Sequence, residues 1–284
     1  MKRLRLILLF CALVVALAAY YYHVESAVRV ETVPFKSSLT AKTLPYSVVL
    51  PPGYGLVTSR RTRYPVLYLL HGWGSHYDAW LAHTSLARYV AEHQIIVVTP
   101  EGENGWYTDS GVAPDDKYET YILQELIPDV ERRFRTLNNR AGRGIAGFSM
   151  GGYGAVKFGL KYPEMFAFVG SMSGAFDTTR RTDDSSIMET FGDAGSATRE
   201  ANDVYKLARE FPAGRFALLP YFYLDCGSAD PWLATNRELA NVFAERKITH
   251  EYRELPGDHV WPYWDRQVRE VLRVAEEMLV SPDS

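Results

Sequence analysis

The sequence predicts an α/β fold with a mostly parallel central sheet, an antiparallel N-terminal start and helices on both faces. From residue 65 onward, short apolar runs bounded by glycine or polar turns alternate with segments of helical periodicity. Strands that are buried on both faces of a parallel sheet have this unbroken apolar character. Two segments rich in β-branched residues precede the alternation and are closed by the Pro-Pro-Gly turn at 51–53, which predicts an antiparallel start.

The predicted elements alternate along the chain. Strands are expected within 28–39, 43–54, 65–72, 95–102, 144–149, 166–174, 221–227 and 250–257, and helices at 77–92, 118–134, from 150 onward, at 231–247 and at 264–279. Residues 175–205 interrupt the alternation with a polar, weakly periodic insertion. Two interpretations of this insertion stay open, a small cap over the site or a solvated surface excursion.

The composition fits one domain over residues 28–280. The 284 residues contain no Pro/Gly/Ser linker or charge run that would divide them, and 47% hydrophobic residues suffice for a sizeable core. The net charge of −3 provides no basic field for a polyanion. Nucleic acid is therefore excluded as an expected partner.

The N-terminus has the pattern of a secretory signal peptide at residues 1–19. A basic start precedes an apolar run of the usual length, and Ala16 and Ala18 are small residues that suit signal peptidase. Cleavage and export, to the periplasm or out of the cell, are therefore expected. The alternative is an uncleaved N-terminal membrane anchor, because the aromatic run that follows would suit a membrane interface. Cleavage would leave Cys226 as the one cysteine, so no intramolecular disulfide is expected.

Ser149 lies between Gly147 and Gly151, directly after an apolar strand and before a helix. The Gly-x-Ser-x-Gly pattern suits a sharp strand-to-helix turn, in which the glycines let the chain pass closely and the serine hydroxyl projects at the carboxyl end of the sheet. The pattern alone is weak evidence, because glycine is common, but the strand and helix around it strengthen the signal. A reactive serine is therefore expected, against the alternative of an ordinary helix cap.

A serine hydroxyl becomes a good nucleophile only with a base, and the base needs an acid that fixes its tautomer. In this architecture both partners follow the serine in the chain, at the ends of later strands. His259 is the one histidine that follows the last predicted strand, in a Pro-Gly-Asp loop, and is the expected base. The turn after the preceding strand offers two candidates for the acid, Asp225 and Asp230.

Stabilisation of a developing oxyanion requires N–H donors close to the serine. The backbone N–H of Met150 is the first expected donor, and the second is expected from the loop at 71–74 after the first parallel strand. Trp73 is the predicted donor in this loop, with Gly74 as the neighbouring alternative. His71 opens the loop and is expected to support it by hydrogen bonding.

Two aromatic-rich turns, at 103–110 and 259–264, are expected to flank the entrance of the site. Trp261, next but one to His259, is the predicted substrate contact. For Trp106 and the other aromatic residues of these turns, packing at the base of the loops is an equally good explanation.

The segments VVLPPGY, YPVLYLLHGWGSHYDAW, GFSMGGYGAVKFGLKYPEMF, DCGSAD and PGDHVWPYW occur in this order. Together they resemble the esterase D-like branch of the α/β-hydrolases, which includes feruloyl and acetyl xylan esterases, S-formylglutathione hydrolases and mycolyltransferases. The resemblance covers about residues 28–280 and implies an α/β-hydrolase fold without a metal or organic cofactor. It also implies a catalytic triad of Ser149 as nucleophile, Asp230 as acid and His259 as base.

The position of Asp230 agrees with this resemblance. The turn of Gly227, Ser228 and Ala229 is flexible enough to bring its carboxylate to the histidine loop. Asp225, at the end of an apolar strand, is expected instead to accept N–H bonds of the turn.

The expected function is that of an exported serine esterase that hydrolyses a small-molecule or carbohydrate-linked carboxylic ester through an acyl-enzyme. An acyltransferase that uses the same triad is the alternative. A catalytically silent binding protein is disfavoured, because such a protein would contain serine, aspartate and histidine at all three positions only by chance. Membrane contact is expected only through an uncleaved N-terminal segment.

Overall fold

A computed structural model describes residues 10–17, 19–20 and 27–280. Residues 1–9 and 18 of the predicted signal peptide lie outside the described residues, and its cleavage stays a prediction. Among the residues described, no helix combines the length and the apolar character needed to cross a membrane.

The core of the structure is one sheet of eight strands in the order β1-β2-β4-β3-β5-β6-β7-β8. β2 pairs antiparallel with β1 and with β4, and every later pairing is parallel. The predicted antiparallel start and parallel remainder are therefore confirmed. The strands are Arg29–Val33 (β1), Tyr46–Leu50 (β2), Val66–Leu70 (β3), Ile96–Pro100 (β4), Arg143–Phe148 (β5), Phe168–Met172 (β6), Tyr221–Gly227 (β7) and His250–Leu255 (β8).

Helices cover both faces of this sheet. Along β3, Val66, Tyr68 and Leu70 belong to one buried cluster, whereas Leu67 and Leu69 belong to another, as the alternation of side chains along a strand requires. The helices are Ala79–His83 (α1), Leu86–Val90 (α2), Tyr118–Tyr121 (α3), Ile127–Arg133 (α4), Met150–Lys161 (α5), Ser185–Phe191 (α6), Ala197–Asn202 (α7), Val204–Glu210 (α8), Leu233–Arg246 (α9) and Trp261–Met278 (α10). Helix α5 contributes to the first cluster and α10 to the second.

The helix predicted at 118–134 is present as α3 and α4 joined by a π-helical segment, Ile122–Leu126, and two other helices differ from the sequence-based expectation. The helix predicted at 77–92 is divided into α1 and α2, because Thr84 is extended and the N–H of Ser85 donates to the Asp265 carboxylate at 2.7 Å. The terminal helix begins at Trp261, three residues earlier than predicted. Pro262 explains this start, since proline fits the first turn of a helix.

The insertion at 175–205 is not a solvated excursion. It forms α6 and α7 and leads into α8, and the buried ring of Phe191 contacts the rings of Trp106 and Tyr153. The segment thus packs against the turn at 103–110 and against α5.

Candidate active site

Ser149 stands between the end of β5 and the start of α5, with φ 54° and ψ −118°. A positive φ is uncommon for a residue with a side chain and marks a turn that its surroundings enforce. The N–H of Ser149 donates to the carbonyl of Met172 on β6 at 3.0 Å. This tight turn directs the serine side chain to the carboxyl end of the sheet.

Gly147 and Gly151 permit this turn by their small size. A β-carbon on Gly147 would lie 2.6 Å from the carbonyl oxygen of Gly151, and one on Gly151 would lie 2.5 Å from that of Leu70. Both distances are too short for any side chain, and both neighbours are backbone atoms that cannot move aside. The predicted reason for the two glycines, a close passage of the chain, agrees with these distances.

The structure brings Ser149, His259 and Asp230 into one hydrogen-bonded chain. Nε2 of His259 lies 3.0 Å from Oγ of Ser149, and its Nδ1 lies 2.9 Å from Oδ2 of Asp230. The other carboxylate oxygen of Asp230 accepts the N–H of Trp232 at 2.8 Å. The Asp230 side chain is inaccessible to solvent, whereas that of His259 remains 23% exposed.

The electrostatics of Asp230 orient the imidazole. Burial alone would raise its pKa, but the hydrogen bonds from His259 and from the N–H of Trp232 outweigh burial and hold the pKa below its usual range. A charged Asp230 accepts a proton-bearing Nδ1, which leaves Nε2 free to accept the Ser149 hydroxyl proton.

Asp225 has a different partner from the one predicted. The expectation that it accepts N–H bonds of the turn is wrong: Oδ1 accepts the hydroxyl of Tyr263 at 2.7 Å, and Oδ2 has no hydrogen-bond partner within the described chain. The residue lies at the end of β7 with no exposed surface. Burial raises the pKa of Asp225 to about 8.

The loop at 71–74 continues into a tight turn beside Ser149. The N–H of Ser75 donates to the carbonyl of Gly72 at 3.2 Å, and the N–H of Gly74 donates to Oδ1 of Asn104 at 2.8 Å. In the described part of the chain, the N–H groups of Trp73 and Met150 have no acceptor. Because Gly74 is already engaged, Trp73 is the better placed of the two predicted alternatives.

The ring of His71 supports this loop through hydrogen bonds. Its buried ring bonds through Nδ1 to the carbonyl of Gly72 at 2.8 Å, and its Nε2 accepts the N–H of Gly102 at 2.9 Å. An Nε2 that accepts is unprotonated, so Nδ1 carries the proton and donates it. Both bonds hold backbone groups, in agreement with the predicted supporting role.

A pocket of about 450 Å³ opens over the serine, lined by Trp73, Ser75, Phe148, Ser149, His259, Val260, Trp261, Pro262 and Trp264. The predicted contact Trp261 lines it and packs against the rings of His83 and Phe148. Trp106 and Tyr107 are buried elsewhere, so the turn at 103–110 does not contribute aromatic side chains to this pocket. No residue of 175–205 lines it either, and the insertion does not cap this pocket.

Asn104 and Lys157 were not predicted from the sequence. Asn104 is exposed and engages the loop at 71–74 with one bond, and Lys157 is buried beneath the turn at 103–110. Neither belongs to a short motif. The one signal in the sequence is a lysine within the otherwise apolar face of α5.

Comparisons with known proteins bear on the fold and on the family. A family model described as putative esterase matches residues 37–274. An esterase of Mycobacterium tuberculosis is 32% identical over 244 residues, and the match covers 76% of this chain and 52% of that protein. An acetyl esterase of Caldicellulosiruptor saccharolyticus is 28% identical over 213 residues, and the match covers 71% of this chain and 79% of that protein.

A solved structure of a ferulic acid esterase is similar to this one with a TM-score of 0.79 and 27% identity, over 89% of this chain and all of the other. This likeness confirms the predicted α/β-hydrolase fold. The chain spans about half the length of the Mycobacterium tuberculosis relative. Within the described residues, no group of histidine, cysteine, aspartate or glutamate side chains could hold a metal ion.

Proposed function

Because the chain belongs to the putative esterase family, we propose that it is a serine esterase that hydrolyses carboxylic esters through an acyl-enzyme. One observation carries the proposal: the hydrogen-bonded chain from Ser149 through His259 to Asp230. These three groups supply a nucleophile, a base and an orienting acid in the arrangement that acyl transfer requires.

In the first step, Oγ of Ser149 attacks the carbonyl carbon of the ester while its proton moves to Nε2 of His259. Asp230 stabilises the imidazolium that forms, without taking its proton. The carbonyl oxygen becomes an oxyanion, which the N–H groups of Trp73 and Met150 bind. Both donors are fixed before the reaction, so they need no reorganisation when the charge develops.

In the second step, the bond to the alcohol breaks, and His259 donates its proton to the departing oxygen. The acyl group remains on Ser149. A water molecule then attacks this acyl-enzyme, with His259 again accepting a proton, and the carboxylic acid leaves as Ser149 regains its hydrogen. One histidine therefore moves every proton in the cycle.

The pocket lining suits an apolar part of the substrate. Trp73, Trp261 and Trp264 present ring surface beside the serine, where an acyl chain or an aromatic acid could pack. The relatives are named acetyl esterase and ferulic acid esterase, which supports an ester of a small or aromatic carboxylic acid, and for the alcohol part we propose a small molecule or a carbohydrate. We also propose that the protein is exported, on the strength of the N-terminal sequence pattern.

The test is the variant Ser149→Ala, assayed against aryl and sugar esters. We expect turnover to fall by several powers of ten while the thermal melt is retained, because a triad member is lost and packing is not. A fluorophosphonate reagent should label Ser149 and spare Ser75, the other serine of the pocket. A folded variant with near-normal activity would contradict the mechanism.

The same assay separates hydrolysis from acyl transfer. With an alcohol acceptor added, the acid should remain the main product. If the acyl group appeared mainly on the acceptor, the acyltransferase alternative would replace the hydrolase.

A further inference from the structure

The turn that contains the Trp73 N–H is bonded by a side chain from another segment, that of Asn104. Gly74 has φ 72°, as the third position of a type II turn requires, and its N–H is bound by Oδ1 of Asn104 at 2.8 Å. This bond fixes the plane of the peptide that follows Trp73. Together with the bond from Ser75 to Gly72, it gives the turn one geometry.

Asn104 belongs to a short strained segment, residues 101–108, which we call the bracing loop. Glu103, Trp106 and Tyr107 have φ values of 43°, 52° and 49°. Each such residue costs about 1–3 kcal/mol and persists only where the surrounding contacts enforce it. Three of them in one loop indicate that its shape has a purpose beyond connecting β4 to α3.

A fully buried lysine enforces this shape. Nζ of Lys157, on α5, donates to the carbonyl of Tyr107 at 2.5 Å, to Oγ1 of Thr108 at 2.7 Å and to Glu119 at 2.7 Å. The hydroxyl of Tyr107 in turn donates to the carbonyl of His71 at 3.0 Å. The bracing loop is thus tied both to the helix that follows Ser149 and to the loop at 71–74.

A buried amine is not an efficient way to stabilise a fold. Burial lowers the pKa of Lys157 to about 8, against the opposing effect of the Glu119 carboxylate. An apolar residue of similar volume at such a position is often at least as stable. The lysine is instead suited to fixing the carbonyl of Tyr107 and the hydroxyl of Thr108 at one place.

The geometry points to Asn104 as a positioning residue of the oxyanion hole, which holds the Trp73 N–H on the reacting oxygen through Gly74 and is itself held by Lys157. This inference rests on the proposed function, because it presupposes that Trp73 donates to the oxyanion. It adds a residue that contacts neither the triad nor the pocket over Ser149.

The expected effect is on turnover. Removal of a whole oxyanion donor costs on the order of 10²–10³ in kcat, and displacement of one should cost less, about tenfold to a hundredfold. The oxyanion forms only in the transition state, so KM should stay within about threefold of its original value.

The first experiment compares Asn104→Ala with Asn139→Ala. Asn139 is a matched control: it is also exposed, and its Oδ1 accepts the N–H of Gly142 at 3.0 Å, before the amino end of β5 and so at the end opposite Ser149. Asn104→Ala should lose kcat with KM unchanged, whereas Asn139→Ala should keep both. Thermal melts should show similar small changes for the two variants, since each loses one hydrogen bond made by an exposed asparagine.

A trifluoromethyl ketone provides a readout that a general loss of packing would not affect. Ser149 adds to its carbonyl and forms a tetrahedral adduct whose oxygen occupies the oxyanion hole. Across the variants, affinity for this ketone should fall by the same factor as kcat/KM. Affinity for the carboxylic acid product should change little.

The second experiment tests whether Lys157 holds the bracing loop in place, with the variants Lys157→Met and Lys161→Met. Lys161 is the matched control, because it also contacts Glu119 from α5 but makes no bond to the bracing loop. Lys157→Met should reproduce the kinetic pattern of Asn104→Ala, and Lys161→Met should not. If Lys157→Met does not fold, Thr108→Val takes its place, since it removes one acceptor of the Lys157 amine with little change of shape.

The outcomes distinguish this inference from the function beneath it. Unchanged kcat and ketone affinity in Asn104→Ala, beside an inactive Ser149→Ala, would overturn the positioning role and leave the esterase mechanism intact. A rise in KM without loss of kcat would also overturn it, because it would make Asn104 a ground-state substrate contact. An active Ser149→Ala would instead remove the proposed function and this inference with it.

Discussion

Asp225 and Asp230 lie five residues apart at the same end of β7, and their carboxyl groups behave in opposite ways. Both are buried. The pKa of Asp230 is lowered although burial opposes this, whereas burial raises the pKa of Asp225 to about 8. The comparison shows that hydrogen-bond donors and the depth of burial act together, since Asp225 has no exposed surface and one donor, whereas Asp230 is 5% exposed and has two.

The donors differ because the chain changes direction between the two residues. Asp225 is still in the strand, where the Tyr263 hydroxyl is its single hydrogen-bond donor among the residues that the structure describes. After Gly227, the N–H groups of Ser228 and Ala229 bond to the carbonyls of Leu255 and Gly257, in the segment that leads to His259. Because of this turn, the Asp230 carboxylate reaches the imidazole of His259, whereas the Asp225 carboxyl remains beside Tyr263.

Turnover should distinguish the two aspartates most strongly. Asp230→Asn should lower kcat on the order of a thousandfold or more, because an amide permits the wrong tautomer of His259 and cannot stabilise the imidazolium. Kinetics with an aryl ester and a thermal melt measure the two consequences separately. The melt should change little.

Asp225→Asn is the control for this variant. It makes the same chemical change five residues away and should leave kcat within about threefold. A large loss of kcat in Asp225→Asn together with normal kcat in Asp230→Asn would make Asp225 the acid and reverse the comparison.

The sequence was sufficient to predict the sheet, the turn around Ser149 and the position of His259. Strand and helix periodicity predicts that both residues lie at the carboxyl ends of parallel strands. The Gly-x-Ser-x-Gly spacing predicts the turn, because this turn depends on residues that are neighbours in the sequence. The choice of Asp230 over Asp225, in contrast, did not come from periodicity or spacing but from the flexible turn at 227–229 and from the family resemblance. Their difference depends on Tyr263 and His259, which lie 38 and 29 residues from their respective partners.

The same reason explains why Asn104 was not predicted and why the position of Trp106 stayed open between packing and the entrance of the site. Asn104 makes one hydrogen bond to Gly74, in a loop 30 residues earlier, and no motif spacing in the sequence predicts this bond. Trp106 stands in an aromatic-rich turn of the kind that often flanks a pocket, but Tyr153 and Phe191 cover it. Phe191 comes from the insertion at 175–205, whose helices were not recognised in the sequence.

The titration of Asp225 should make the free energy of unfolding depend on pH. An unfolded aspartate has a pKa of about 4, so between pH 4 and 8 folded Asp225 retains a proton that the unfolded chain has lost. The contribution of Asp225 to the free energy of unfolding should therefore be fully present below pH 4, and it should be lost as the pH rises towards 8. The slope is about 1.4 kcal/mol per pH unit.

Asp225→Asn tests this pH dependence, because an amide resembles the protonated carboxyl and does not titrate. Urea unfolding at several pH values should show the variant gaining stability relative to the original protein from about pH 4 to about pH 8, and no further gain above. The activity-neutral change would then be stabilising at neutral pH. A difference that does not vary with pH would mean that Asp225 is charged in the folded state.

The smallest effect concerns Tyr263, the one hydrogen-bond partner that the described chain provides for the Asp225 carboxyl. Tyr263→Phe keeps the ring, which also packs beside Gly257, but it leaves both oxygens of a buried carboxyl without a donor. We expect a loss of about 1–3 kcal/mol in unfolding free energy and little change in kcat. Replacing both partners, in Asp225→Leu with Tyr263→Phe, should cost less than the two single changes together, because no polar group is then left unpaired. Strict additivity in this double-mutant cycle would show that the hydroxyl and the carboxyl are not coupled, and the contrast with Asp230 would lose its physical basis.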